Sequence, residues 1–276
     1  MKNKFIDKNK IMNSAREIAM LCALCVFIFA SYEMTNVYLD YEDGDNDYED
    51  LASLFEVPDV SGENETEVDS NGNIIIANKN EGAKWVWDFD GMLKINPDSK
   101  GWISQGNQIS YPILQGTDNE YYLEHTAYYS ENKSGSIFID HRCKDGLESR
   151  NCIIYGHDML NNSMFGSLIQ YSSKSYYDQN PTFDIYVGYK HYKYYVFAAY
   201  ETPAIGDTYT YDFANDEEFH AYLEACWARK LYSTNVESVS TEDKIITLST
   251  CTRHDDNKRF IVQMVRGEEI IDENNQ

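Results

Sequence analysis

The chain has 276 residues, 42% of them hydrophobic, which is enough to build a buried core and excludes a wholly disordered polymer. Its 46 acidic residues outnumber its 23 Lys and Arg, and the formal charge of −23 repels a phosphate backbone, which argues against a nucleic acid partner. With 23 Tyr and a 14% aromatic share, the composition favours strands and half-buried pleated surfaces.

The N-terminus is basic, with Lys2, Lys4, Lys8, Lys10 and Arg16 against Asp7 and Glu17. It leads into 15 uncharged residues at 18–32, an export or membrane signal. At about 1.5 Å per residue this run is short for a hydrocarbon core of roughly 30 Å, so a cleaved signal peptide competes with a retained anchor. No small-x-small cleavage pattern precedes Ser31, which favours the anchor. The basic residues then keep the N-terminus inside and send the rest of the chain out, a single-pass protein of the cell membrane. Cys22 and Cys25 spell C-x-x-C, but they sit in an apolar segment without a βαβ context and are read as packing residues.

Residues 40–69 hold 13 acidic side chains and no Lys or Arg, more than half of the net charge. Such a stretch buries little surface and reads as a solvated spacer, with a short helix near 48–55. The expected organisation is a cytoplasmic tail at 1–17, an anchor at 18–32, an acidic extracellular spacer at 33–84 and a folded domain at 85–270. Within that domain, strand-like runs fall at 111–115, 136–141, 151–156, 182–187, 192–200, 244–252 and 259–265, separated by polar or Gly-containing loops. This spacing predicts a mainly β barrel or sandwich. Two helices are expected, a short one at 164–171 and a longer one at 215–230. In the longer one Asn215 and Glu218 form a capping-box variant, and Phe219, Leu223 and Cys226 share a core-facing stripe. Cys143 and Cys152 flank a polar loop, and two readings stay open for them: a disulfide in an oxidising compartment, or buried free thiols.

The chemistry concentrates near the end of the domain. Along 244–252 the alternation puts Ile245, Thr247, Ser249 and Cys251 on one face, so Cys251 ends a strand on its more polar side. Six residues separate this strand from the next, few enough for a hairpin that sets Cys251 and Arg259 at the same end of adjacent strands. A third strand delivers His157 at its tip, after Gly156, although the sequence alone does not place it beside Cys251. Thiol, imidazole and guanidinium are together the parts of acyl transfer: nucleophile, proton carrier and oxyanion donor. Against this stand the bland readings of a packed Cys and a loop-edge His, and Arg253 and Arg266 remain rival cations. A free thiol titrates near 8.5 and an imidazole near 6.5, so such a pair is mostly neutral at pH 7 unless its site shifts it, and activity is expected to be slow and bell-shaped in pH. No EF-hand loop or zinc-type His/Cys spacing is present, so neither metal nor cofactor is called for.

Thr-Leu-Ser-Thr-Cys at 247–251, Arg-Phe-Ile-Val at 259–262, Ile-Tyr-Gly-His at 154–157 and Met-Phe-Gly-Ser-Leu at 164–168 resemble, in combination and in order, the signature segments of sortases, the cell-wall transpeptidases of Gram-positive bacteria. The helix at 215–230 and the segments 96–102 and 115–125 resemble the class B subgroup. The resemblance implies a closed eight-stranded β-barrel behind an N-terminal membrane anchor. It implies Cys251 as nucleophile, His157 and Arg259 as its catalytic partners, and Ser249, Asn119 and Leu123 along the substrate groove. It also implies cleavage of a C-terminal sorting signal after a Thr, a thioester on Cys251, and transfer of the surface protein to an amine of the peptidoglycan precursor. Two other readings stand beside it: an exported cysteine hydrolase or L,D-transpeptidase-like enzyme on wall peptides, and a non-enzymatic anchored β-domain that binds a surface partner through its tyrosines.

Overall fold

The computed structural model describes residues 8–53, 56–57, 66–68, 74–76, 84–85, 87–106 and 108–270. Eight strands close into a barrel: β1 (Ser99–Gln105), β2 (Ile109–Leu114), β3 (Ile137–Ile139), β4 (Asn151–Tyr155), β5 (Thr182–Val187), β6 (Lys190–Pro203), β7 (Ile245–Cys251) and β8 (Lys258–Ile270). The order around the barrel is β6-β8-β7-β4-β3-β2-β1-β5, returning to β6. Only two of these pairings are parallel, β2 with β3 and β4 with β7. Trp102, Phe183, Tyr194, Phe197, Tyr200 and Phe260 are among the barrel's fully buried side chains.

Seven of the eight strands coincide with apolar runs in the sequence, while β1 does not stand out. Its sequence, Ser-Lys-Gly-Trp-Ile-Ser-Gln, mixes polar residues into positions that are nonetheless buried. Gly101 is required there, since a Cβ would collide with the backbone carbonyl of Tyr186 on the neighbouring β5. The described residues also form the helices α1 (Lys8–Ser53), α2 (Phe89–Ile95), α3 (Lys174–Gln179) and α4 (Asp216–Arg229), 3-10 segments, and two short antiparallel ladders, Glu56–Val57 with Lys84–Trp85 and Thr66–Val68 with Ile74–Ile76. The predicted helix at 164–171 is a 3-10 segment, Gly166–Ser172.

Helix α4 lays Phe219, Leu223 and Cys226 against Phe197, Ala198, Ile245 and Ile261, as its stripe predicts. At its start Asn215 Oδ1 accepts from the Glu218 N–H at 2.9 Å, and Glu218 Oε2 accepts from the Ala214 N–H at 2.9 Å. The return bond therefore lands one residue before the cap, a longer version of the expected box.

The chain divides into two compact units, residues 1–43 and 44–276. Helix α1 contains one segment long and apolar enough to cross a membrane, with its side chains exposed. The acidic stretch read as a spacer continues this helix as far as Ser53, and its last turns belong to the second unit. There Tyr48 and Leu51, three residues apart on one face, are buried to 4% and 0% exposure. The Tyr48 hydroxyl donates to the Gly135 carbonyl (2.6 Å) and bonds Ser136 Oγ (2.9 Å), and its ring meets Tyr111 edge-on. Acidic side chains on the solvated face tolerate a helix well, so charge count alone concealed this two-residue anchor. Most of the remaining spacer, between 54 and 86, lies outside the described residues. Tyr48→Phe, which leaves Gly135 and Ser136 without that partner, should cost about 1–2 kcal/mol in a urea melt of the full chain, and Tyr48→Ala about 3 kcal/mol or more. Equal midpoints for all three proteins would show that the helix end does not support the barrel.

Candidate active site

Strand β7 lies between β4, parallel to it, and β8, antiparallel to it. The β7/β8 register pairs Cys251 with Arg259, as the hairpin predicts. The β4/β7 register pairs Tyr155 with Ser249, so the chain two residues beyond each reaches His157 and Cys251 at the same level. Three adjacent strand ends thus deliver a thiol, an imidazole and a guanidinium to one rim of the barrel. Residues 245–250 are buried, and Cys251 is the first residue of β7 to emerge.

Gly156 carries the turn into His157. Its N–H donates to the Ser249 carbonyl at 3.3 Å, and a side chain there would strike Ile137 and Phe165. His157 Nε2 lies 2.7 Å from the Leu123 carbonyl, which only accepts, so Nε2 carries the hydrogen and Nδ1 is the nitrogen left for proton exchange. The His157 carbonyl accepts from the Phe165 N–H at 2.9 Å, which fixes the turn from the other side.

The three candidate arginines are told apart by their positions and partners. Arg266 stands beyond the opposite end of β7, where Ile245 pairs with Val265, roughly 20 Å from Cys251 at 3.3 Å per residue. It donates to the Tyr194 hydroxyl (2.7 Å), Glu148 (3.0 Å) and the Leu147 carbonyl (2.8 Å). Arg253 forks onto the Asp158 carboxylate, its Nε 3.0 Å and its Nη2 2.8 Å from Oδ1. Arg259 is half-buried, with Nη1 held by the Asp256 and Lys258 carbonyls at 2.8 Å each.

Of the expected groove residues, Ser249 is buried at 2% exposure, and its Oγ bonds the Tyr209 hydroxyl at 3.0 Å. Leu123 is exposed and meets His157 through its carbonyl. Asn119 Oδ1 accepts from the His141 N–H at 2.9 Å and so braces a loop. Tyr209 has no distinguishing sequence signal, coming from a 3-10 turn after β6, yet it stacks on Tyr155 and bonds Ser249. Burial raises its pKa, and the Ser249 bond and Arg259 oppose that rise.

Beneath the rim, Asp140 is fully buried. Its carboxylate accepts from Arg142 Nε (2.9 Å) and Nη2 (2.6 Å) and from the Tyr155 hydroxyl (2.9 Å). Burial alone would raise its pKa, but the Arg142 and Tyr155 bonds outweigh it and hold the value at about 2. Cys143, Cys152 and Cys226 are buried free thiols, so the disulfide reading for the first two gives way to the thiol one. Among the described residues no cluster of His, Cys, Asp or Glu suits a metal ion.

The sortase domain model matches residues 103–266. This chain belongs to the sortase family. It is 38% identical over 175 residues to Sortase B of Listeria monocytogenes, covering 62% of this chain and 71% of that protein. It is 34% identical over 164 residues to Sortase B of Staphylococcus aureus, covering 59% and 67%. The barrel superposes on the S. aureus sortase B-substrate complex with a TM-score of 0.60 at 31% identity, over 65% of this chain and 84% of that one. On sortase B from B. anthracis in complex with AAEK1 the TM-score is 0.66 at 27% identity, over 84% and 99%. The chain is accordingly a class B sortase-type transpeptidase, which bears out the expected eight-stranded barrel and sets the non-enzymatic reading aside.

Because the folded pKa of Asp140 is depressed below its ordinary 3.8, its stabilisation is present above about pH 4 and is lost as pH falls towards 2. Asp140→Asn should flatten the slope of unfolding free energy against pH across that interval. An unchanged slope would mean that the Asp140 carboxylate does not drive acid unfolding.

Proposed function

We propose that this sortase cleaves a C-terminal sorting signal after a Thr through a thioester on Cys251, then transfers the surface protein to an amine of the peptidoglycan precursor. The observation that carries this reading is the arrival of Cys251, Arg259 and, two residues past the end of β4, His157 at one rim from three neighbouring strands. The Cys251 thiolate adds to the scissile carbonyl, and the resulting oxyanion is steadied by Arg259, whose guanidinium plane is fixed through Nη1. His157 donates a proton from Nδ1 to the departing amine, the C–N bond breaks, and the thioester remains. An incoming amine adds to the thioester and gives its proton back to His157, after which the C–S bond breaks and Cys251 leaves. Water competes for the thioester whenever the amine is scarce. Ser249 with Tyr209 beneath the rim, exposed Leu123 and the Asn119 loop support a groove for the sorting signal along this edge.

Helix α1 supports a retained anchor, with the N-terminus inside and the barrel outside. Apolar side chains continue past the uncharged run at Met34, Val37 and Leu39, so the stretch from Ile18 to Leu39, interrupted in charge only by Glu33, spans about 33 Å at 1.5 Å per residue. The protein should fractionate with membranes, whereas a secreted form beginning near Ser31 would overturn the anchor.

Cys251→Ala should abolish both cleavage and transfer with an unchanged melt, and mass spectrometry of the native enzyme with a sorting-signal peptide should show an acyl adduct on Cys251. Arg259→Lys keeps the charge but loses the planar fork, and turnover should fall on the order of 10² to 10³ with little change in pH profile. His157→Ala should fall to background. Equal peptide cleavage by Cys251→Ala would sink this reading.

A further inference from the structure

The ladder between β4 and β7 ends at Tyr155 and Ser249, and the Gly156 N–H to the Ser249 carbonyl is its last backbone bond. His157 and Cys251 both lie beyond it. Past that point the two strand ends are joined across the gap by side chains, which resist their splaying. One crossing stands out. Arg253, two residues after Cys251, reaches the residue next to His157: its Nε lies 3.0 Å from both Asp158 oxygens and its Nη2 2.8 Å from Oδ1. The same Nη2 donates to the Met159 carbonyl at 3.1 Å and to Asn162 Oδ1 at 3.2 Å. One guanidinium thus binds a carboxylate, a backbone carbonyl and an amide of the turn that follows His157.

The turn is shaped to receive it. The Asp158 side chain is 4% exposed while that of Arg253 is 40% exposed, so the carboxylate is withdrawn from water and the guanidinium caps it from outside. An isolated carboxylate at that depth is costly, and a forked partner offsets the cost. Asp158 also bridges to Met164, and Gly166 leaves room for the Met159 backbone, where a Cβ would meet the Met159 carbonyl. The clamp also explains why Arg253 is no rival to Arg259: its fork is turned onto the 158–162 turn.

We propose that the Arg253–Asp158 clamp is a positioning pair that sets the distance and angle between His157 and Cys251 during transpeptidation. It rests on the acyl-transfer reading given above. Neither residue exchanges a proton or meets the reacting carbonyl. Misplacement of reacting groups by about 1 Å costs on the order of 10²-fold in rate, so the clamp should act on kcat and on thiol reactivity, and little on KM.

The test uses the full chain in detergent and compares Arg253→Ala, Asp158→Asn and the exchanged pair Arg253→Asp with Asp158→Arg. Each is assayed for kcat and KM on a sorting-signal peptide, for the pH profile of iodoacetamide alkylation at Cys251, and for its melting temperature. Each single variant should lose roughly 10- to 100-fold in kcat with KM within about two-fold, and should displace the alkylation profile. The exchanged pair should recover at least about five-fold over the worse single variant. Native kcat and a native alkylation profile in folded Arg253→Ala would overturn the clamp, and so would a folded exchanged pair no better than the single variants. Should Arg253→Ala melt early, Asp158→Asn, which is nearly isosteric, carries the same comparison. An inactive native enzyme, or an active Cys251→Ala, would instead defeat the acyl-transfer reading, and so the two failures are told apart.

Discussion

A buried polar network ties together the three strands on which the candidate site depends. Thr247 of β7 donates to Asn151 Oδ1 of β4 at 2.8 Å and accepts from Gln263 Nε2 of β8 at 3.0 Å, and all three residues are 0% exposed. Asn151 Nδ2 and Gln263 Nε2 both donate to the Tyr222 hydroxyl of α4, which donates in turn to the Thr208 carbonyl, and Tyr200 donates to Gln263 Oε1. Sliding any one strand by a residue would turn its partner away and strand several buried donors at once, each worth about 1–3 kcal/mol. Apolar contacts alone tolerate such slips far better. The network therefore fixes the register that brings Cys251 level with both His157 and Arg259.

Topology supplies the other half of the constraint. Parallel neighbours run the same way, so the ends of β4 and β7 emerge at the same rim, but a parallel pair demands a long crossover. Residues 156–244 provide it, and they include β5, β6 and helix α4. The antiparallel neighbour enters at the rim where β7 leaves, which is why Arg259 needs only a short hairpin to arrive. Helix α4 does double duty in this crossover: its apolar stripe covers the outside of β6, β7 and β8, and its Tyr222 closes the polar network within.

Much of this was legible in the sequence wherever one local rule acted alone. Alternation located β7, hairpin length paired Cys251 with Arg259, and the stripe Phe219, Leu223 and Cys226 oriented α4. What stayed hidden depended on distant partners. Strand β1 escaped because Gly101 and its polar neighbours are buried by contact with β5 and β2, which no local pattern encodes. The helical end at 44–53 escaped because two buried side chains, Tyr48 and Leu51, were outweighed in composition by the carboxylates around them. His157 was found as a residue but not as a neighbour, since the parallel pairing that places it joins segments some ninety residues apart. Arg253, Arg259 and Arg266 were indistinguishable by type, and only the groups that each one binds separate them.

The cysteines carry the same lesson into reactivity. The proposed acyl transfer needs one thiolate, and a domain with four thiols keeps the other three silent. Burial does this directly. It raises the Cys143 thiol to about 11 and drives Cys152 and Cys226 upward as well, while Cys143 Sγ is further occupied by the Asn151 carbonyl and Cys226 Sγ by the Tyr200 hydroxyl. Cys251 escapes that fate by one position: the six residues before it are sealed between β4 and β8, and it lies where the ladder to β4 has already ended. Its exposure and its freedom from β4 thus have a single origin in strand length. Lengthening β4 by two pairs would carry the ladder as far as His157 and Cys251, and the gain in backbone bonding would come at the expense of the opening at that rim.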